Sequence, residues 1–271
     1  MQVVYSLAET QVDRDSVVTI GAYDGVHRGH RAVLDSVRRA AAEHRRASAV
    51  VTFFPHPSVA LGRAEPFYLT SPEEKIEVLC SLGIDLLVVM RFTMEMSQTR
   101  AADYVAMLIE RLRMREVHAG YDFAFGYQRE GTIEFLQRSG ARHGFDVQVI
   151  DALRNGGQPI SSTGIRQALR QGDVETAAEW LGRPFRLSGT LARLDMMRLH
   201  VDVWQQHAIP ADGIYDCDIH LDGERRLARA TVGTETFASA GPYRTVFVDF
   251  SGDVNRPIGT PVALDFIKSV T

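Results

Sequence analysis

Cysteine is scarce. Cys80 and Cys217 are the only two in 271 residues, too few for a disulfide scaffold or a thiolate metal site. Long apolar runs are lacking: no stretch approaches the roughly 20 residues needed to span a bilayer. The opening Met1-Gln2-Val3-Val4-Tyr5 has neither the basic start nor the apolar core of a signal peptide. An excess of one charge is lacking as well, since 30 basic and 34 acidic side chains leave a net −4. The charges are spread evenly, so no basic face for nucleic acid is expected. Repeats and low-complexity tracts are also missing. What remains is 45% apolar and 24% charged residues, an ordinary globular composition. The expectation is a soluble, cytoplasmic protein that works on small molecules, without nucleic-acid or membrane partners. Its oligomeric state is not legible.

The chain is written in two styles. Between 17 and 182, short apolar runs (17–20, 49–53, 85–90, 116–119 and 145–150) alternate with helical patterns. Several of these runs lack strict alternation, which fits strands buried on both faces of a parallel sheet. Ser71-Pro72-Glu73-Glu74 reads as a capping box with proline at the first helical position, and Gly83 closes that helix. Tyr104, Val105, Leu108, Ile109 and Leu112 make one apolar face of a helix within 97–115. Such repeated strand–helix–strand units predict a doubly wound sheet that binds ligands outside the carboxyl ends of its strands. After Gly182-Arg183-Pro184 the style changes. Strand-like runs at 186–191, 199–204, 214–221, 227–232, 245–250 and 261–266 predict a small antiparallel barrel or sandwich. The boundary is expected near residue 184.

The densest chemistry lies in Gly21-Ala22-Tyr23-Asp24-Gly25-Val26-His27-Arg28-Gly29-His30, between the first of those runs and a helix beginning near Gly29. Glycines let backbone approach a ligand closely, and a helix start offers unpaired N–H groups and a positive dipole end. His27 and His30 can both face an anion there. The spacing matches neither a Walker loop nor a dinucleotide fingerprint. Alone, the pair could equally be surface histidines on a helix cap, and no third residue stands at metal-site spacing. A second helix start follows Ile160. There Ser162 can cap, and Arg166 arrives one turn later with a bidentate fork for phosphate. By itself that is an ordinary capped helix. Together, the two starts are suited to converge on one polyphosphate.

These motifs, with Pro55-His56-Pro57, Gly120-Tyr121-Asp122-Phe123-Ala124-Phe125-Gly126 and Leu181-Gly182-Arg183-Pro184-Phe185, occur in one order. In that order they resemble bacterial FAD synthetase, the bifunctional riboflavin kinase/FMN adenylyltransferase family. The resemblance spans residues 1–182. It implies a Rossmann-like nucleotidyltransferase domain (1–184) that transfers AMP from ATP to FMN, giving FAD and pyrophosphate, with Mg²⁺ held mostly by substrate and water. By the same resemblance His27, His30 and Arg166 are the catalytic residues. Gly21, Tyr23, Asp24, Gly25, Gly29 and Asp122 join the histidines around ATP. Ser161, Ser162, Thr163 and Arg166 hold the β- and γ-phosphates. Phe54, Pro55, His56 and Pro57 shape the flavin side, although core packing explains Phe54, Phe123 and Phe125 at least as well.

The second segment (185–271) resembles the family's kinase barrel with its signature missing. Where the family carries a Pro-Thr-Ala-Asn run, this chain reads Leu191-Ala192-Arg193-Leu194-Asp195-Met196-Met197-Arg198. Before Asp249-Phe250 stands Arg244-Thr245-Val246, without the family's catalytic glutamate, and nothing in the setting of Asp195 or Glu235 recommends either as a substitute base. The expectation is therefore FAD synthesis with the kinase lost. The alternatives are a chain that is still bifunctional, a related nucleotidyltransferase with another acceptor, or a non-catalytic flavin- or nucleotide-binding regulator.

Overall fold

The computed structural model describes residues 2–10, 12–195, 198–237, 241–249 and 257–270. Its contacts divide the chain into two units, Met1–Glu65 with Glu74–Pro159, and Pro66–Glu73 with Ile160–Thr271.

The first unit is built on six parallel strands: β1 (Gln2–Val4), β2 (Ser16–Ile20), β3 (Ala47–Phe54), β4 (Leu86–Arg91), β5 (Met114–Gly120) and β6 (Asp146–Ile150), in the order β1-β4-β3-β2-β5-β6. The helices are α1 (Arg28–Glu43), the short α2 (Pro57–Ala60), α3 (Pro72–Ser81, entering from the other unit), α4 (Ala101–Leu112) and α5 (Ile133–His143). Neighbouring strand residues serve opposite faces. Val50, Leu87 and Val89 pack with Leu34 of α1 and Leu79 of α3. Val18, Val51, Val88 and Val117 pack with Tyr104, Val105 and Leu108 of α4. Each such side chain contributes roughly 1.5–3 kcal/mol of burial. Burial on both sides is why these strands read as apolar runs instead of alternating ones. Two elements escape the sequence pattern. Strand β1 is too short to show a period. The stretch after β6, a Gly/Pro-rich loop by composition, forms a hairpin of β7 (Arg154–Asn155) and β8 (Gln158–Pro159).

The second unit is a closed antiparallel barrel, β10-β13-β12-β11-β14-β9. Its strands are β9 (Phe185–Asp195), β10 (Arg198–Val203), β11 (Gly213–Leu221), β12 (Glu224–Phe237), β13 (Gly241–Asp249) and β14 (Pro261–Ser269). Closure leaves no exposed sheet edge. Alternate residues such as Leu187 and Leu191, Cys217 and Ile219, and Val246 and Val248 fill its core. Two helices share that core, α6 (Ser162–Arg170) and α7 (Val174–Leu181), through Ile165, Ala168, Leu169, Val174, Ala177 and Leu181. The change in sequence style at 184 and the change in packing after Pro159 are thus different boundaries. Met196, Met197, Phe250 and the turn at 251–253 lie outside the described residues, as do the side chains of Asp195 and Glu235.

Candidate functional site

Strand order sets the place where a ligand can enter the first unit. From β2 the chain moves outward through β3 and β4 on one side, then returns to β5 on the other. The carboxyl ends of β2 and β5 therefore form a topological switch point, where helices lead away to either side and leave a crevice. The 21–30 loop leaves one of these ends and Asp122 follows the other, exposed to solvent.

The loop is tightly wound. Gly21 N–H donates to Val51 O (3.0 Å). Tyr23, Gly25 and Val26 then take φ values of +49°, +81° and +41°. Glycine accepts that region freely, while a tyrosine and a β-branched valine do not. Strain of this kind persists only where the surroundings over-determine it, and here they do. Thr19 Oγ1 donates to His118 O (2.7 Å), which leaves the Tyr23 hydroxyl to donate to Thr19 (2.6 Å). Burial raises the Tyr23 pKa, so the phenol stays a neutral donor. Its hydroxyl is spent inside the fold, and its ring edge meets His30 at 5.1 Å between centroids. Asp24 is also buried.

His27 is the N-cap of α1. Its Nδ1 accepts the His30 N–H at 3.2 Å, so the ring hydrogen of a neutral imidazole sits on Nε2. The cap thereby fixes a tautomer whose second nitrogen is a donor. His30, in the first helical turn, stacks on it with centroids 3.6 Å apart and planes 18° from parallel. Arg28 and Gly29 are the two residues between them in that turn. The result is a pair of imidazoles mounted on a helix start, where backbone N–H groups and the dipole already favour an anion.

Behind the pair, α1 is locked to the sheet. Glu116 accepts from His118 Nε2 (2.8 Å), which makes His118 Nδ1 the acceptor for the Ser36 hydroxyl (2.9 Å). Arg46 Nη1 bonds the same carboxylate at 3.2 Å. Lys75, which sequence reading passed over, is only 5% exposed. Its Nζ donates to Phe53 O (2.7 Å) and Ala22 O (3.3 Å). Burial lowers its pKa to about 8, partly opposed by the negative charge of Asp24. Only its spacing, four residues before the buried Leu79, hinted that it faces inward.

The Pro-His-Pro turn follows β3. His56 caps α2 through Nδ1, which accepts from Ser58 N (3.2 Å), and Pro57 opens that helix. Phe54 is half-buried and joined to Pro55 by a cis peptide. Phe123 and Phe125 stack at 5.4 Å between centroids and pack against the α4 side of the core.

The second predicted cluster belongs to the other unit. The cap of α6 is Ser161, one residue earlier than expected: its hydroxyl accepts the Gly164 N–H at 3.2 Å. Ser162 is the first helical residue. Ile160 and Ile165 are buried at the two positions of a hydrophobic staple, and this fixes the earlier start. Thr163 is exposed on the first turn. Arg166 Nε donates to Phe67 O (2.8 Å), and Arg170, one turn on, lies over the Phe67 ring at 4.4 Å.

The model of the FAD synthetase family matches residues 9–164, more than half of the chain. This chain belongs to the FAD synthetase family. Among its relatives, the bifunctional riboflavin kinase/FMN adenylyltransferase of Listeria monocytogenes is 34% identical over 82% of this chain and 73% of its own length. The protein of the same name from Pseudomonas fluorescens is 32% identical over 94% of this chain and 85% of its own length. A solved structure from Streptococcus pneumoniae, described as a macrolide-efflux protein, gives a TM-score of 0.89 at 25% identity, covering 99% of this chain and 90% of that one. Its likeness concerns architecture. No helix among the described residues is long and apolar enough to cross a membrane. The nucleotidyltransferase fold thus matches the family that the motifs resemble.

Proposed function

We propose that this chain is an FMN adenylyltransferase. A phosphate oxygen of FMN attacks the α-phosphorus of ATP, the bond from that phosphorus to the α,β-bridging oxygen breaks, and FAD and pyrophosphate are the products. Such transfers need positioning and charge neutralisation more than a covalent group. A phosphomonoester is largely dianionic at neutral pH, so the nucleophile needs no general base.

The observation that carries this reading is the imidazole pair on the start of α1 at the sheet's switch point, with the His27 tautomer set by its cap. In this assignment His27 and His30 donate to the oxygens where charge builds as the α-phosphorus is attacked. Gly21, Tyr23, Asp24, Gly25 and Gly29 shape the loop against ATP, with Asp122 beside the nucleotide. Ser161, Ser162, Thr163 and Arg166 hold the departing pyrophosphate. Phe54, Pro55, His56 and Pro57 border the flavin, and residues 1–184 make up the transferase domain. No group of three or more His, Cys, Asp or Glu side chains among the described residues is arranged for a metal. We therefore take ATP as its magnesium complex, with the cation carried on triphosphate oxygens and water.

The barrel, residues 185–271, is assigned no kinase activity. Its β9–β10 pairing runs from Val203↔Gly189 to Arg198↔Asp195, with a one-residue register shift between Val201↔Leu191 and His200↔Arg193. In sequence, Leu191-Ala192-Arg193-Leu194 stands where the family carries its Pro-Thr-Ala-Asn run, and Arg244-Thr245-Val246 stands before Asp249-Phe250 where the family carries its glutamate. Incubation with ATP, Mg²⁺ and either FMN or riboflavin, with the products resolved by chromatography, tests both assignments. FAD is expected from FMN and nothing from riboflavin. A chain that leaves FMN unchanged is not this enzyme, and FMN formed from riboflavin restores the kinase.

A further inference from the structure

Charged side chains are seldom buried without a reason, because removing an ammonium from water is expensive unless it finds partners. Lys75 is a buried ammonium of the first unit, and it donates to two backbone carbonyls at the mouth of the sheet, those of Phe53 and Ala22. One acceptor lies in β3 and the other in the loop that leaves β2, and these strands pair in parallel from Ser16↔Ala47 to Ile20↔Val51. Ala22 is the second residue beyond β2, inside the loop that leads to His27. Phe53 is the last residue but one of β3, immediately before Phe54 and the Pro-His-Pro turn. The Lys75 ammonium is therefore a tie between the nucleotide loop and the flavin turn. Ala22 O also accepts the Thr52 hydroxyl (3.1 Å), so beside the Gly21 N–H bond to Val51 two side chains fasten the loop to β3, one shared with the flavin turn and one not.

We infer that Lys75 is a positioning residue for adenylyl transfer, holding the phosphate-facing loop after β2 at a fixed spacing from the turn after β3. The inference depends on the adenylyltransferase reading given above. In-line displacement demands that the attacking oxygen and the α-phosphorus approach within a few tenths of an ångström of the productive geometry. A displacement of about 1 Å costs on the order of 10²-fold in rate. Strand pairing ends at Ile20↔Val51 on the β2 side, and beyond that point Gly21 N–H, Thr52 and Lys75 are the supports that fasten the loop to β3. The loop carries positive φ at three of its residues, and such a conformation relaxes if its supports are removed. Asp24, whose charge favours the protonated amine, sits in the same loop and adds to the tie.

The two fasteners give distinguishable variants. Lys75→Met keeps the length of the side chain and removes both donors. It is expected to lower kcat by roughly 10- to 100-fold and to raise KM for both ATP and FMN. Thr52→Val removes the donor that serves Ala22 alone, and is expected to raise KM for ATP several-fold while KM for FMN stays within twofold. A lysine that merely stabilised the fold would lower the melting temperature and leave both constants unchanged in the folded fraction. FAD formation by the unmutated chain, combined with unchanged constants in folded Lys75→Met, overturns this inference alone. No FAD from the unmutated chain overturns the adenylyltransferase reading and this inference with it. If Lys75→Met does not fold, Lys75→Gln, which is shorter and uncharged, decides: raised KM for both substrates upholds the tie, and unaltered constants refute it.

Discussion

At the scale of single residues, His27 has two duties that mutation can separate. As a cap it contributes about 1 kcal/mol, and in the proposed mechanism it donates to the reacting phosphates. Alanine removes both. His27→Asn keeps an acceptor for the His30 N–H and loses the imidazole donor. The expected outcome is a 10²- to 10³-fold drop in kcat for His27→Ala, His27→Asn and His30→Ala, with the cap's share of the melting temperature lost in His27→Ala and kept in His27→Asn. Near-unaltered turnover in all three would take the pair out of the mechanism. Lys75 carries a prediction of a different kind. An unfolded lysine titrates near 10.5 and the folded one near 8. Below pH 8 both states hold the proton, and the full burial cost is present. Between pH 8 and 10.5 the unfolded chain binds more protons, so stability should rise with pH across that window. The contribution is on the order of 3 kcal/mol by the usual conversion of 1.36 kcal/mol per pH unit. Urea unfolding of the wild type and Lys75→Met, compared pH by pH, reads it directly. A constant difference between the two from pH 7 to 10 would contradict the assigned titration. The histidines were legible in the sequence because motif and helix start coincide there. Lys75 was not, because its acceptors are backbone carbonyls of Ala22 and Phe53, more than 20 residues earlier in the chain, and backbone acceptors leave no mark in a sequence.

At the scale of elements, helix starts were the most readable feature and also the source of the clearest discrepancies. Both anion-suited starts, α1 and α6, follow from capping residues and glycine spacing. The serine that caps α6 differs by one position because the buried Ile160 and Ile165 set the staple. The start of α4 had no local cap to find. Ala101 N–H donates to Glu130 Oε1 (2.8 Å), which also takes Arg100 Nε at 2.7 Å. An acid 29 residues away along the chain does the work that a neighbouring serine usually does. The first turn of α6 is the most exacting local fit. A Cβ on Gly164 would lie 2.3 Å from Cζ3 of Trp180 on α7, although φ at Gly164 is ordinary. Glycine is needed there for space, so Gly164→Ala must push apart the turn that carries Ser161, Ser162 and Thr163. A rise in KM for ATP and a lower melting temperature are expected. Trp180→Leu in the same chain should recover part of both, since it vacates the colliding ring. Failure of the second change to recover anything would mean that the turn is not braced by the indole.

At the scale of the whole molecule, the question is what the barrel contributes if, as proposed, it carries no kinase activity. The barrel was legible as six turn-bounded runs. Its partnership with α6 and α7 was not, because the apolar faces of those helices look the same whichever core receives them. Packing supplies the reason. Ile165, Ala168, Leu169, Val174, Ala177 and Leu181 share one core with barrel residues such as Phe185, Leu187, Tyr215 and Phe266. The segment at 66–73 joins the same unit through Tyr68 N–H to Gln206 O (2.8 Å) and Ala208 N–H to Tyr68 O (2.7 Å). That segment supplies the carbonyl of Phe67 that orients Arg166. A helix of nine residues is far too short to be stable in water without such a face. Losing the barrel would therefore melt the helix that presents Ser162, Thr163 and Arg166, even though those residues precede the change in sequence style at 184. A fragment of residues 1–184 should accordingly bind a hydrophobic dye, lose helical signal relative to the same residues in the full chain, and make no FAD. A fragment that matched the full chain in melting temperature and turnover would show that the barrel contributes nothing to α6, and its retention would then need another cause.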